Sequence, residues 1–309
     1  MFLLIRGVQR ACRSFAQVAG LYSGRGRIAR TRILRRIDAP MRGLQLTTLE
    51  DGSLIRVDLS DYMARPVFYF GDFDPKISWV CRRVLKPGDA AIDLGANIGI
   101  VAFQMARCVG PKGRVHAFEP QPDLVTRLTE DAAINGYRQL AVHPVALSDR
   151  DGFAQFNVSR ENCGGAALSD EEAPGYRMIQ VQVRRALPAF EALDLPASAP
   201  VRLIKLDIEG HEDLVLTQLG PWLKQRSPDV VVFEAGVTDG FWSLPRTTTL
   251  LDVGYRLFAI PRCIFRMHLI PLVEGSAVPV GSHDFVAVHQ GAHAAASRAA
   301  LGVVMPRPS

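Results

Sequence analysis

One acid and two glycines share the stretch Asp93-Leu94-Gly95-Ala96-Asn97-Ile98-Gly99, and a second acid, Glu119, stands 20 residues beyond Gly99. Further on, Asp207, Glu209 and His211 alternate along the chain. A glycine bend between a strand and a helix presents backbone N–H groups and a positive helix end to a ligand. A carboxylate at the end of the next strand accepts hydrogen bonds from ribose hydroxyls. The alternating set admits three chemistries. It could ligate a divalent cation. It could orient and deprotonate an acceptor hydroxyl. Or Asp207 touches a cofactor while Glu209 and Glu212 favour the start of a helix.

The elements that must hold these residues follow from the apolar pattern. Ala90, Ala91, Ile92 and Leu94 make a short strand carrying Asp93, and Ile100, Val101, Phe103, Met105 and Ala106 open a helix. Pro111-Lys112-Gly113 turns the chain into a second strand, Arg114–Phe118, that closes on Glu119. The dinucleotide fingerprint G-x-G-x-x-G is incomplete here, because Gly-Ala-Asn-Ile-Gly lacks a third glycine. Asp93 repels a pyrophosphate and attracts a cationic amine or sulfonium. Charge therefore favours S-adenosylmethionine over NAD as the ligand.

Elsewhere the chain reads as further α/β units. Gly43–Leu59 alternates like a hairpin around Glu50-Asp51-Gly52-Ser53. Tyr62–Asp74 is rich in aromatics, assigned mainly to packing with a lid over the ligand as the second reading, and a helix follows over Lys76–Leu85. Pro120–Asn135 has a helical face of Leu124, Leu128 and Ala132, and Leu140–Leu147 reads as a third strand with Ala146 at its carboxyl end. Residues 151–184 break the rhythm: Phe153–Val158 and Met178–Val183 alternate as antiparallel strands around a loop of Ser159–Tyr176, either a substrate wall or a decorative hairpin. Val201–Ile208 is an apolar strand ending at Asp207, with a helix after His211, and Asp229–Phe233 is a fifth strand ending at Glu234. Tyr255–Ile260 and Asp284–His289 are the last two strands, and Gly291–Ser309 reads as a flexible tail.

Charge and cysteine usage narrow the class. Net charge is +5, yet residues 1–42 hold ten arginines and one acid, Asp38, while the rest carries 26 basic and 30 acidic side chains. The basic character belongs to an N-terminal arm and gives no support to a nucleic-acid-binding body. Arginines in that arm interrupt any apolar run, which argues against a signal peptide or membrane span. A basic helix lying on an anionic membrane and a helix packed on a partner surface both fit. In a eukaryote the arm would also suit an organelle transit peptide, although 31 arginines against five lysines in the whole chain point to biased composition. Five scattered cysteines without a Cys-x-x-Cys pair argue against a zinc site and a disulfide framework, and suit a reducing, cytoplasmic setting.

Gly88-Asp89-Ala90-Ala91-Ile92-Asp93-Leu94-Gly95-Ala96-Asn97-Ile98-Gly99 resembles the first motif of class I methyltransferases of the FkbM family. Ala117-Phe118-Glu119-Pro120, Ala146-Leu147-Ser148-Asp149 and Ile204-Lys205-Leu206-Asp207-Ile208-Glu209-Gly210 follow in that family's order, over residues 60–290. The family commonly has a small residue where His211 stands. The resemblance implies an α/β fold with a doubly wound, mostly parallel seven-stranded sheet and an antiparallel hairpin insertion. It divides the chain into a basic arm (1–42), a methyltransferase domain (43–290) and a flexible tail (291–309). It also implies S-adenosylmethionine as cofactor, held by Asp93, Gly95, Asn97, Gly99, Glu119 and Ala146; no residue is assigned to a metal. The acceptor would be a hydroxyl on a glycan or natural product, with Asp207, Glu209 or His211 as the base. An NAD-dependent oxidoreductase and a non-catalytic binding protein on the same fold are the rival readings. The first should show three phosphate-bed glycines, and the second should have lost the glycine turn or Glu119.

Overall fold

The computed structural model describes residues 2–159, 167–168, 174–196, 199–235 and 240–303, with backbone alone at 2 and 3. Three helices come first, α1 (Phe2–Val18), α2 (Arg25–Ala29) and α3 (Arg32–Asp38). The expected hairpin follows as β1 (Leu44–Thr48) and β2 (Leu54–Asp58), then α4 (Ala64–Phe70) and α5 (Pro75–Val84). The wound core begins with β3 (Ala90–Leu94), α6 (Ile100–Val109), β4 (Arg114–Phe118), α7 (Pro122–Ile134) and β5 (Leu140–His143). Next come β6 (Ala146–Ser148), β7 (Gly152–Ser159), β8 (Ala167–Leu168), β9 (Tyr176–Arg185) and α8 (Ala186–Glu191). The chain returns to the core with β10 (Val201–Leu206), α9 (Glu212–Arg226), β11 (Val230–Glu234), α10 (Pro245–Asp252) and β12 (Tyr255–Ala259). It ends with β13 (Ile270–Pro271), β14 (Asp284–His289) and α11 (Ala295–Leu301).

The main sheet runs β13-β12-β14-β11-β10-β3-β4-β5. Strands β11, β10, β3, β4 and β5 are mutually parallel, and β14 inserts antiparallel between β11 and β12. These are the seven strands of the expected sheet, extended at one edge by the two-residue β13. Buried on both faces by helices, β3 and β10 have no need of polar alternation, which is why they read as near-continuous apolar runs. The order reverses between β3 and β10, so the crevice beyond their carboxyl ends is the natural ligand position.

The single strand expected over Leu140–Leu147 is two. Pro144 has no N–H to donate to a ladder and separates β5, in the main sheet, from β6, which joins the small sheet β6-β9-β7-β8. Strands β7 and β9 are the antiparallel insertion that the alternation predicts, and most of the loop between them lies outside the described residues. At the C-terminus the expected tail is corrected in part. Ala295–Leu301 is a helix whose Leu301 is buried in the cluster that contains Val80 and Val84 of α5, and Ser297 Oγ donates to Asp229 at 2.5 Å. Alanine has the highest helix propensity, so the alanine-rich stretch folds wherever it finds a surface.

The basic arm also folds back. Ile5, Ala16, Leu21, Ala29 and Leu34 share one apolar cluster with Val67, Phe68 and Tyr69. Asp38 accepts both nitrogens of Arg65 at 3.0 and 3.1 Å, and Arg25 pairs with Glu50 at 2.5 Å. Among the described residues no helix is long and apolar enough to cross a membrane.

A histidine pair, His116 buried and His143 half-buried, joins β4 to β5. His116 Nδ1 lies 2.9 Å from His143 Nε2, and the His143 ring stacks on Phe118 at 4.5 Å. Burial, and then His143, push His116 down to about 4. Because its folded pKa lies below the unfolded value near 6.5, the stability it contributes is complete above pH 6.5 and drains away as pH falls towards 4. Urea midpoints measured across that window should fall with pH and flatten in His116→Gln; an unchanged slope in the variant would remove this pair from the acid response.

Candidate active site

Six carboxylates (Asp74, Glu119, Asp207, Glu209, Glu234 and Asp284) and part of the glycine turn line one cavity of about 410 Å³ at the carboxyl edge of the sheet. Along that edge stand Glu119 after β4, Gly95 after β3, Asp207 after β10, Glu234 at the end of β11 and Asp284 at the start of the antiparallel β14. Sheet order thus ranks the functional groups from one end of the cavity to the other. Its size is in the range that encloses a nucleoside-sized ligand.

The turn after β3 is built from three alternating residues in left-handed conformations. Gly95, Asn97 and Gly99 have φ of 77°, 53° and 94°. A Cβ on Gly95 would lie 1.8 Å from the Asp207 carbonyl oxygen, so this glycine permits contact between two strand ends. At Gly99 a Cβ would lie 2.5 Å from Leu128 Cδ1; this glycine caps α6 against α7 and is outside the cavity lining. Every amide of the turn is engaged within the protein. Gly95 and Ala96 donate to the Phe118 carbonyl at 3.0 and 2.9 Å, Asn97 donates to Glu119 Oε2 at 2.8 Å, Ile98 to Asn97 Oδ1 at 2.7 Å, and Gly99 to the Ala96 carbonyl at 2.9 Å. A diphosphate needs a bed of outward N–H groups, and this turn offers none.

Glu119 is buried, faces the cavity, and accepts from Asn97 N–H through one oxygen and from Gln121 N–H, at 2.9 Å, through the other. Burial drives its pKa up to about 7 against the pull of those two amides. The Gln121 side chain also bonds to the carboxylate, which still keeps acceptor capacity for a hydroxyl donor. Ala146 lines the cavity nearby, its backbone paired to Val183 of β9.

Asp93 is wholly buried beneath the turn and is not among the lining residues. Its partner is Lys205, whose Nζ stands 3.3 Å from Asp93 Oδ1 and 3.5 Å from Asp207 Oδ2, and donates to the carbonyls of Gly95 at 2.7 Å and Leu94 at 3.3 Å. One ammonium therefore ties both strand ends together, and sequence reasoning missed it. The signal was a lone lysine inside an apolar strand, which must find partners for its charge.

At the other end of the cavity, burial and then Asp207 push Glu209 up to about 7, and burial, Asp207 and Asp284 do the same for Glu234. Burial lowers the His211 pKa, and its Nδ1 has no hydrogen-bond partner among the described residues. Glu209 is held at φ 49°, a strained conformation for a non-glycine residue. Glu212 secures the loop by accepting from the N–H groups of Ile208 and Gly210, both at 3.0 Å. Arg246 in turn grips Asp213 and donates to the Glu234 carbonyl at 2.6 Å. Asp207, Glu209 and His211 all line the cavity, but they form no set of three that could hold a metal ion. Of the aromatic lead-in, Tyr62 and Phe73 face the cavity edge to face at 6.4 Å, whereas Phe68, Tyr69 and Phe70 are core.

A seven-strand sheet with an antiparallel seventh strand, a nucleoside-sized cavity at its switch point, a buried acid at the end of the strand beside it and a closed glycine turn define a class I methyltransferase. The chain belongs to the FkbM methyltransferase family: the model of the methyltransferase FkbM domain matches residues 93–257. It is similar to TYW2 of M. jannaschii in complex with AdoMet, at 13% identity over 80% of this chain and 86% of that one, with a TM-score of 0.41. It is likewise similar to the O-methyltransferase TomG of Streptomyces achromogenes, at 14% identity over 71% and 81%, with a TM-score of 0.40. A SAM-dependent O-methyltransferase of Thermotoga maritima stands at 12% identity over 79% and 91%, with a TM-score of 0.39.

S-adenosylmethionine is the cofactor this family implies, and the residues present fit it. Glu119 presents a buried acceptor of the kind a ribose hydroxyl would need, the turn offers no diphosphate bed, and the surplus of carboxylates on the lining suits a ligand carrying a sulfonium and an ammonium.

Proposed function

We propose that this methyltransferase acts on an oxygen, methylating a hydroxyl of a glycan or natural product. The cofactor supplies an electrophilic methyl group; the chain's own task is to hold a hydroxyl in line with it and take the proton. The observation that carries this reading is the pair of carboxyls, Glu209 and Glu234, raised to about 7 on the side of the cavity away from Glu119. A base titrating near neutrality is matched to removing a proton at the moment of attack. An amine acceptor needs no such group once it is neutral. Tyr62 and Phe73 give the same region an apolar wall suited to the faces of a hydroxylated ring. In this reading Asp93 and Gly99 act by positioning: Asp93 fixes Lys205, and Gly99 fixes the start of α6.

Incubation with S-adenosylmethionine and a panel of glycans, polyols and amines, read by mass spectrometry, tests the acceptor class; methylation confined to amines would overturn it. Glu209→Gln should lower kcat by about a hundredfold or more while leaving cofactor affinity within about twofold. The pH profile separates the candidate bases. In the parent, kcat should rise with pH through about 7, as Glu209 ionises. Loss of that limb in Glu209→Gln assigns the base to Glu209, and loss only in His211→Asn assigns it to His211. A limb that survives both changes would remove the base from this segment.

A further inference from the structure

We propose that the outer surface formed by α1 and the loop between β12 and β13 docks on an anionic lipid bilayer beside the mouth of the cavity. This surface is independent of the acceptor chemistry proposed above.

Helix α1 carries two apolar stripes. Ile5, Cys12 and Ala16 face inward and pack on the domain. Leu4, Ala11, Phe15 and Val18, spaced by seven, four and three residues, form a neighbouring stripe that faces out, with Phe15 56% and Val18 91% exposed. The exposed arginines Arg6 and Arg10 lie further round the outward half of the helix, on one side of that stripe. A folded domain needs only the first stripe.

A distant segment supplies the same chemistry at the same place. The loop Arg262-Cys263-Ile264-Phe265-Arg266 holds two apolar side chains, 54% and 58% exposed, between two exposed arginines. It is fixed to the end of α1. The Tyr22 N–H donates to the Ile264 carbonyl at 2.7 Å, and the Phe265 carbonyl lies 3.4 Å from where a Cβ on Gly20 would stand. The chain just past Val18 and the loop bearing Ile264 and Phe265 are thus brought side by side from more than 240 residues apart in sequence.

Charge selects the occupant. Residues 1–37 and 260–273 contain no Asp or Glu, so the charges these two segments themselves contribute are all positive. That combination matches an interface of anionic headgroups over acyl chains. Both segments also reach the cavity. Arg262 lines it, and Arg30, just past α2, lies 3.4 Å over the ring of Tyr62, another lining residue. A docked enzyme would present its cavity mouth at the bilayer surface.

Co-sedimentation of the full chain with phosphatidylglycerol-rich vesicles, compared with pure phosphatidylcholine vesicles, tests the proposal. Binding should be confined to the first, weaken with added salt, and fall at least about tenfold in Val18→Glu/Phe265→Glu. Ile134→Glu, at an exposed apolar position at the end of α7 and so at the sheet edge opposite the cavity, should bind like the parent. Arg266→Glu provides a second variant whose loss depends on charge alone. No binding, equal binding to both vesicle types, or full binding by the double variant would overturn the proposal. So would a parent that sediments as a dimer, ignores vesicles, and becomes monomeric in the double variant, because the patch would then join two copies of this chain.

Discussion

Replacing Glu119 by Ala should weaken S-adenosylmethionine binding at least about a hundredfold, the largest effect of any single change on the cofactor side. Hydrogen bonds to a charged acceptor contribute about 1.5–3 kcal/mol each, and tenfold in affinity corresponds to about 1.4 kcal/mol. Losing the ribose contacts alone therefore reaches that size. The carboxylate also holds the Asn97 and Gln121 amides, so the variant loses order on both sides of the ligand. Glu119→Gln keeps one acceptor and should fall between parent and alanine.

Proton linkage makes the test specific. In the free protein burial raises Glu119 to about 7, above its ordinary 4.5. Its contribution to the stability of the free enzyme is thus complete below about pH 4.5 and is lost as pH rises through 7. Ribose hydroxyls donate to the ionised form, so binding releases a proton. Affinity should improve by about tenfold between pH 6 and pH 8, the change in the ionised fraction of a group titrating near 7. Calorimetry in two buffers of different ionisation enthalpy measures that proton. Glu119→Gln should abolish both the pH dependence and the proton release. A parent whose affinity is flat with pH would remove the carboxyl from the ribose.

Much of this arrangement was legible because the relevant signals are local. A strand buried on both faces shows as an apolar run, a turn with positive φ shows as Gly95 and Gly99, and one crossover later an acid at a strand end shows as Glu119. What escaped depends on contacts between segments remote in sequence. The role of Gly95 is set by the Asp207 carbonyl, more than a hundred residues away. Closure of the turn's amides depends on the Phe118 carbonyl of the neighbouring strand. Asp93 looked like a ligand for a cation because its cation, Lys205, lies in another strand. The arm and the C-terminal helix were read as appendages since their few apolar residues become intelligible only against α4 and α5. Pro144 was a visible signal that the apolar run from Leu140 overrode.

Lys205→Met should be the most destabilising polar substitution at the site, costing about 3–5 kcal/mol, the range expected when one member of a buried ion pair is removed. Methionine fills the stem's volume but strands Asp93 among buried neighbours and releases the Gly95 and Leu94 carbonyls. The loss should depend on pH with a definite sign. Burial already pushes Asp93 up, and Lys205 is the first-ranked force opposing it. Without that ammonium its folded pKa rises further above the unfolded value near 3.9, so the variant's stability should be greatest in mild acid and fall as pH increases. Asp93→Asn/Lys205→Met removes both charges and should recover much of the loss, giving a strongly non-additive cycle. Urea midpoints at pH 5 and pH 8 for the parent, both single variants and the double variant read all three expectations. If the single changes simply add, Asp93 and Lys205 do not act as a pair, and the two strand ends that form the cavity floor are joined by something other than this ammonium.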